Sequence, residues 1–211
     1  MKKTLSVFVA LFMLLMLPVV SFSAAPRPYI SGQLGVAFLA DSDLSIPSED
    51  VTATLEFDPG LATSFAGGVN FGMFRVEGEI GYQQNDVDKF SACYGGDCGS
   101  AKASGDVSVL SMLGNFYVDF VNSSPVTPFI TAGLGIARVE INDLSTVGEY
   151  IGGSDDTVFA YQFGVGLAFA INKNMAIDLK YRYFATADPD FDGVEGEFAS
   201  HNVYCGFRYT F

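Results

Sequence analysis

From Tyr29 to Phe211 the chain repeats with a period of two, and this rhythm admits strands and argues against a helical protein. In residues 175–184, Met175, Ile177, Leu179, Tyr181 and Tyr183 share one face of an extended chain, and Ala176, Asp178, Lys180, Arg182 and Phe184 share the other. Residues 74–83 repeat the pattern, with Phe74, Val76, Ile80 and Tyr82 on one face and Arg75, Glu77, Glu79 and Gln83 on the other. One face is bulky and apolar throughout; its opposite is small or charged. The 20 Phe, 10 Tyr and 23 Gly suit sheets with tight turns, and that aromatic content excludes a disordered chain.

Reading the alternation along the chain predicts eight strands, at about 29–40, 61–71, 73–85, 106–120, 127–141, 157–171, 175–185 and 198–211. Short connections at Gly72, 121–125 and 172–174 alternate with long ones at 41–60, 86–105, 142–156 and 186–197. An even strand count with this rhythm predicts an all-β fold, an eight-stranded antiparallel up-and-down transmembrane β-barrel. The rival is a soluble barrel of the lipocalin kind, whose polar face turns to water. The non-bulky face argues against it, because Gly35, Ala37, Ser64, Gly81, Gly133, Gly164 and Gly206 are too small and uncharged for a water-washed surface. Small residues fit the narrow, filled interior of eight strands, and the bulky face then meets lipid.

Export is written at the start of the chain. Lys2 and Lys3 precede an apolar run from Leu5 to Val20, and small residues from Ser21 to Ala25 follow before Pro26. This order predicts a cleaved secretory signal over residues 1–24, cut near Ser23 to Ala25, and one barrel domain over 25–211. The apolar run is shorter than the ~20 residues a spanning helix needs. Export permits disulfides, and Cys93 and Cys98, flanking a Gly-containing loop, are the expected pair. Cys205 lies far from both and is expected to be a free, buried thiol. Zinc at Cys93 and Cys98 is the weaker alternative, since the chain has one His and no second Cys pair.

The chain ends Phe207-Arg208-Tyr209-Thr210-Phe211, with Phe207, Tyr209 and Phe211 at alternate positions, which resembles the C-terminal assembly signal of bacterial outer-membrane proteins. With Tyr181-Arg182-Tyr183, and Ser200-His201-Asn202 leading into Gly206, the whole mature chain resembles the outer membrane protein β-barrel domain family, which includes OmpA-like and opacity-protein-like barrels. The resemblance implies a bacterial outer-membrane location, with both termini periplasmic and the long loops outside. It also implies contact with outer-membrane lipid, lipopolysaccharide and the outer-membrane assembly machinery. Family members serve as structural proteins, adhesins and surface antigens without a shared active site. Two departures matter: the chain has no Trp, so interfacial belts rest on Phe and Tyr, and no periplasmic wall-binding domain follows the barrel, so wall anchoring is not expected.

Charge then divides into two sets. Arg75, Lys180, Arg182 and Arg208 face inward against Glu77, Glu79, Asp119 and Asp178, a balance that predicts a paired plug in which Arg75, Glu77 and Glu79 reach across the barrel toward Asp178, Lys180 and Arg182; a narrow ion path is the alternative. The long loops hold 18 acids against only Lys89 and Lys102. A net charge of −13, from 24 acids and 11 bases, argues against a nucleic-acid partner. The plain reading of the loops is a solvated, repulsive surface presented to an unknown extracellular ligand. A sharper one concerns Asp188, Asp190 and Asp192 before Gly193, whose alternate carboxylates resemble a calcium loop, although Ala199 stands where a twelfth-position Glu would be. No other cofactor is expected. Ser200 beside His201 invites a nucleophile–base reading, but adjacent strand residues point to opposite faces, so no enzyme activity is expected.

Overall fold

The computed structural model describes residues 25–40, 42–46, 51–94, 97–102, 104–146, 149–151, 154–187, 190–191, 194–195 and 198–211, with side chains described over 25–40, 58–86, 105–140, 155–187 and 198–211. Eight long strands form the barrel: β1 (Arg27–Leu39), β4 (Gly60–Asn70), β5 (Phe74–Tyr94), β7 (Ser104–Asp119), β8 (Val126–Thr146), β10 (Ser154–Ala170), β11 (Met175–Thr186) and β14 (Ala199–Thr210). Each pairs antiparallel with its sequence neighbour among the eight, and β1 pairs with β14 from Tyr29↔Thr210 to Leu39↔Ser200, which closes the sheet. Closure removes the unpaired edges that a spanning sheet cannot leave in hydrocarbon.

All eight predicted strands are present, but the predicted long loops are not all loop. Strands β5 and β8 run 21 residues each, well past the predicted ends at 85 and 141. Strand β5 continues as the centre of a further sheet, flanked by β3 (Val51–Phe57) and β6 (Asp97–Lys102), with β2 (Ser42–Ile46) pairing on β3. Strand β9 (Glu149–Ile151) extends β8, and β12 (Asp190–Phe191) pairs with β13 (Val194–Glu195). The alternation that marks barrel strands fades in the sequence of these segments, yet neighbouring backbone still pairs with them.

Burial follows the alternation closely. In β11, Asp178, Lys180, Arg182 and Phe184 are buried, while Ile177, Leu179 and Tyr181 are exposed. The exposed set around the barrel is bulky and apolar, including Ile30, Leu34, Phe65, Ile80, Met112, Leu134, Phe163 and Val203. Cys205 belongs to this outward set: it is free but exposed, which corrects the expectation of a buried thiol. Its parity in β14, between outward Val203 and Phe207, places it there.

Glycine on the inward face makes room for rings. Tyr29 lies opposite Gly68 in the register, and a Cβ on Gly68 would stand 2.7 Å from the tyrosine oxygen. Gly35 lies opposite Tyr204, where a Cβ would stand 2.8 Å from the ring. The Phe74 hairpin turns at Gly72, whose φ of 91° favours glycine, and Asn70 Oδ1 accepts the Gly72 N–H at 2.6 Å.

Candidate functional site

The lumen is filled in layers from the short-turn end upward. At the bottom, Arg75 donates through Nε and Nη2 to both Asp119 oxygens at 2.8 Å each, and Arg208 Nη2 donates to Asp178 Oδ1 at 3.1 Å. Above them Glu77 accepts from Tyr29 Oη at 2.9 Å and from Tyr117 Oη at 2.8 Å. Next, Glu79 lies between Arg182 Nη1 at 2.7 Å and Lys180 Nζ at 3.5 Å, and Arg182 Nη2 donates to Tyr204 Oη. The amides continue the stack: Gln162 Nε2 donates to Asn115 Oδ1 at 2.6 Å, and Ser200 Oγ to Gln83 Oε1 at 3.2 Å. Aromatic faces cover the cations, with the Arg75 guanidinium 4.2 Å from the Tyr117 ring centre and that of Arg182 4.5 Å from Tyr204.

Toward the loop end an apolar cluster packs beside the buried Asn85, Thr186 and Ser200. Val107, Val109, Leu113, Ala137, Val139, Ala160, Phe184 and Phe198 form one buried cluster, in which the Phe184 and Phe198 rings meet edge-on, centres 6.2 Å apart. Charge pairs and hydrogen-bonded side chains below and this apolar cluster above fill the lumen over the described residues.

The sequence brought the right charges inward but not all of the right pairs. Glu79 does meet Lys180 and Arg182 across the barrel, as expected. Arg75 pairs instead with Asp119 on the neighbouring β7, and Glu77 is held by two tyrosines, with Asn115 Nδ2 donating to it at 3.3 Å. Tyr29, Tyr117, Tyr204 and the apolar cluster around the inward Phe184 were missed. Parity marks them, since each shares a face with small or charged residues.

The remaining candidates divide by what is described. Ser200 is buried in the lumen, whereas His201 faces outward against Tyr181, whose Oη lies 2.7 Å from Nδ1, and against Tyr183. The two side chains lie on opposite sides of the barrel wall, as the alternation requires. The backbone register sets Cys93 opposite Cys98, although their side chains lie outside those described. Asp188 and Asp192 lie outside the described residues, as does the Asp190 side chain. Phe207 and Phe211 are exposed and Tyr209 is half-buried, with the Tyr209 and Phe211 rings edge-on at 5.1 Å.

A closed antiparallel barrel with apolar side chains outside and charges inside defines an integral membrane protein that crosses with strands. The chain belongs to the outer membrane protein β-barrel domain family, whose profile matches residues 7–211, and it is thus a bacterial outer-membrane protein. Outer membrane protein PagN of Salmonella typhimurium is 37% identical over 82 residues, 36% of this chain; the match spans about a third of PagN, 34% of its length. An uncharacterized protein of Brucella abortus is 26% identical over 208 residues, 77% of this chain and 70% of that protein. Among solved structures, Neisserial surface protein A has a TM-score of 0.59 at 19% identity, covering 89% of this chain and 99% of that one. OprG of Pseudomonas aeruginosa has a TM-score of 0.56 at 16% identity, covering 89% and 97%. These two structures establish the shared barrel fold.

Proposed function

We propose that this protein works at the cell surface, with a filled barrel holding its acidic, β-structured loop end outside and both termini in the periplasm. The filled lumen is the observation that supports this reading, because an interior occupied by side chains leaves the loop end as the part free to meet a partner. Strands β2, β3 and β6 around the extension of β5 supply a platform of paired backbone there, stiffer than open loops would be. Its acids favour a cationic extracellular ligand and set the loops against lipopolysaccharide phosphates at close range. Pairing of Cys93 with Cys98, supported by their register, would fasten the β5–β6 hairpin within that platform.

The test removes residues 42–57 from the chain expressed in cells. The deleted protein is expected to reach the outer membrane with a compact band that shifts on heating, while surface binding by the cells is lost. Binding that survives deletion of every long loop refutes a loop-based role. In planar bilayers the intact protein and Arg182→Ala are both expected to stay silent. A steady conductance that changes with Arg182→Ala would move the function into the lumen.

The proposal includes a divalent cation at Asp188, Asp190 and Asp192, which would offset repulsion among the loop carboxylates. Millimolar calcium is expected to raise the melting temperature of the folded barrel above its value in EDTA or magnesium, and Asp190→Asn to abolish the rise. A melt indifferent to calcium returns these residues to a solvated surface.

A further inference from the structure

The loop end is acidic, but the opposite mouth of the barrel is not. A cavity of about 410 Å³ opens there, lined by residues that include Arg27, Lys173, Arg208, Thr127 and Asn174, and kept open by Gly72, Ala168, Ala170 and Ala176. In a chain with 24 acids, Asp119 is the one acid in this lining. Its charge is matched, because Arg75 holds both of its oxygens. Arg208, deeper in the mouth, is matched by Asp178.

Of the seven bases whose side chains are described, five have a carboxylate partner: Arg75, Arg138, Lys180, Arg182 and Arg208. Arg27 and Lys173 have none among the described residues, and both stand at this mouth. The fold brings them together from distant positions, since Arg27 Nη2 donates to the Lys173 carbonyl at 2.9 Å. The turn that carries Lys173 is fixed, with Asn172 Oδ1 accepting the N–H groups of Asn174 at 2.8 Å and Met175 at 2.9 Å. Asn174 Nδ2 in turn donates to the Thr210 carbonyl at 2.6 Å. Two cations with no carboxylate partner among the described residues, on a hydrogen-bonded rim above a concave space, create a focused positive potential.

We propose that the short-turn mouth of the barrel is a binding site for a small, water-borne oxyanion, a phosphate- or carboxylate-bearing solute held by Arg27 and Lys173 with Arg208 beneath. The guanidinium of Arg27 supplies paired donors suited to an oxyanion, and Lys173 supplies a compact charge. The floor is built from lumen-facing residues, so a lipid headgroup would have to draw its chains over the rim, whereas a free solute enters directly. The site also lies at the end away from the long loops, so its test is separate from that of the surface role.

The folded full-length barrel in a non-ionic detergent is titrated with inorganic phosphate by calorimetry. One saturable site is expected, weakened at least ~10-fold by Lys173→Glu or Arg27→Glu and retained in Lys173→Arg. Both charge reversals lie at exposed positions, and the heat-shifted gel band confirms that each variant is folded. In nanodiscs, the same affinity in phosphatidylcholine and in phosphatidylglycerol supports a free solute. Loss of phosphate binding in phosphatidylglycerol alone identifies a lipid headgroup as the occupant and overturns the proposal. Absence of binding in detergent, or binding that the double charge reversal leaves unchanged, overturns it as well.

Discussion

Replacing Glu79 by alanine is expected to destabilise the barrel by about 3–5 kcal/mol, the range found when one partner of a buried ion pair is removed. Glu79 is the shared counter-charge of Lys180 and Arg182, and all three are almost wholly buried, with side-chain exposures of 0%, 1% and 3%. After the substitution two cations would remain in the lumen, Lys180 with no other ion pair among the described residues and Arg182 with only the Tyr204 hydroxyl. The loss is measured from the folded gel band across a urea series in lipid vesicles, since the chain has no Trp to report by fluorescence. The triple change Glu79→Leu, Lys180→Met and Arg182→Met is expected to recover most of it, because removing the whole set leaves no charge to solvate. A loss below ~1 kcal/mol for the single change would mean that water reaches these cations, and their burial in a filled lumen would be wrong.

A change on the other face should act with the opposite logic. Leu34 is 65% exposed on β1, near the middle of the strand, so in a water-soluble protein Leu34→Arg would fall within ~0.5 kcal/mol of neutral. In the outer membrane the same arginine meets hydrocarbon and is expected to cost about 2–4 kcal/mol, falling toward zero at the strand ends. Moving the substitution along the outward residues of β1, from Ile30 through Leu34 to Phe38, should therefore trace a maximum at the centre. A flat profile would contradict the assignment of this face to lipid.

Much of the molecule was legible because a barrel wall applies one rule to every residue of its strands. Inside and outside alternate along β11 from Ile177 to Arg182, so the parity of Asp178, Lys180 and Arg182 sufficed to place them in the lumen, and the parity of His201 and Ser200 sufficed to separate them. The same rule, followed through, would also have placed Cys205 outside. It was read as buried from residue type, since free cysteine is usually a core residue in soluble proteins, whereas in a membrane barrel an apolar surface residue is at home on the outside. The extension of β5 and β8 past residues 85 and 141 was not legible. There the period-two alternation of the sequence is lost, and only pairing with β3, β6 and β9 defines the strands.

The sequence by itself determined the strand count, the closure they require, which face of each strand meets lipid and which charges enter the lumen. These follow from period-two patterning, a local property that each strand carries alone. Only the tertiary structure decided the partners. Whether Arg75 meets Asp178 or Asp119, whether Glu77 is held by cations or by Tyr29 and Tyr117, and whether Arg27 comes beside Lys173 depend on the stagger between strands and on the tilt that closes the barrel. Register is a relation between strands, set by packing around the whole circumference, and no single segment of the chain encodes it.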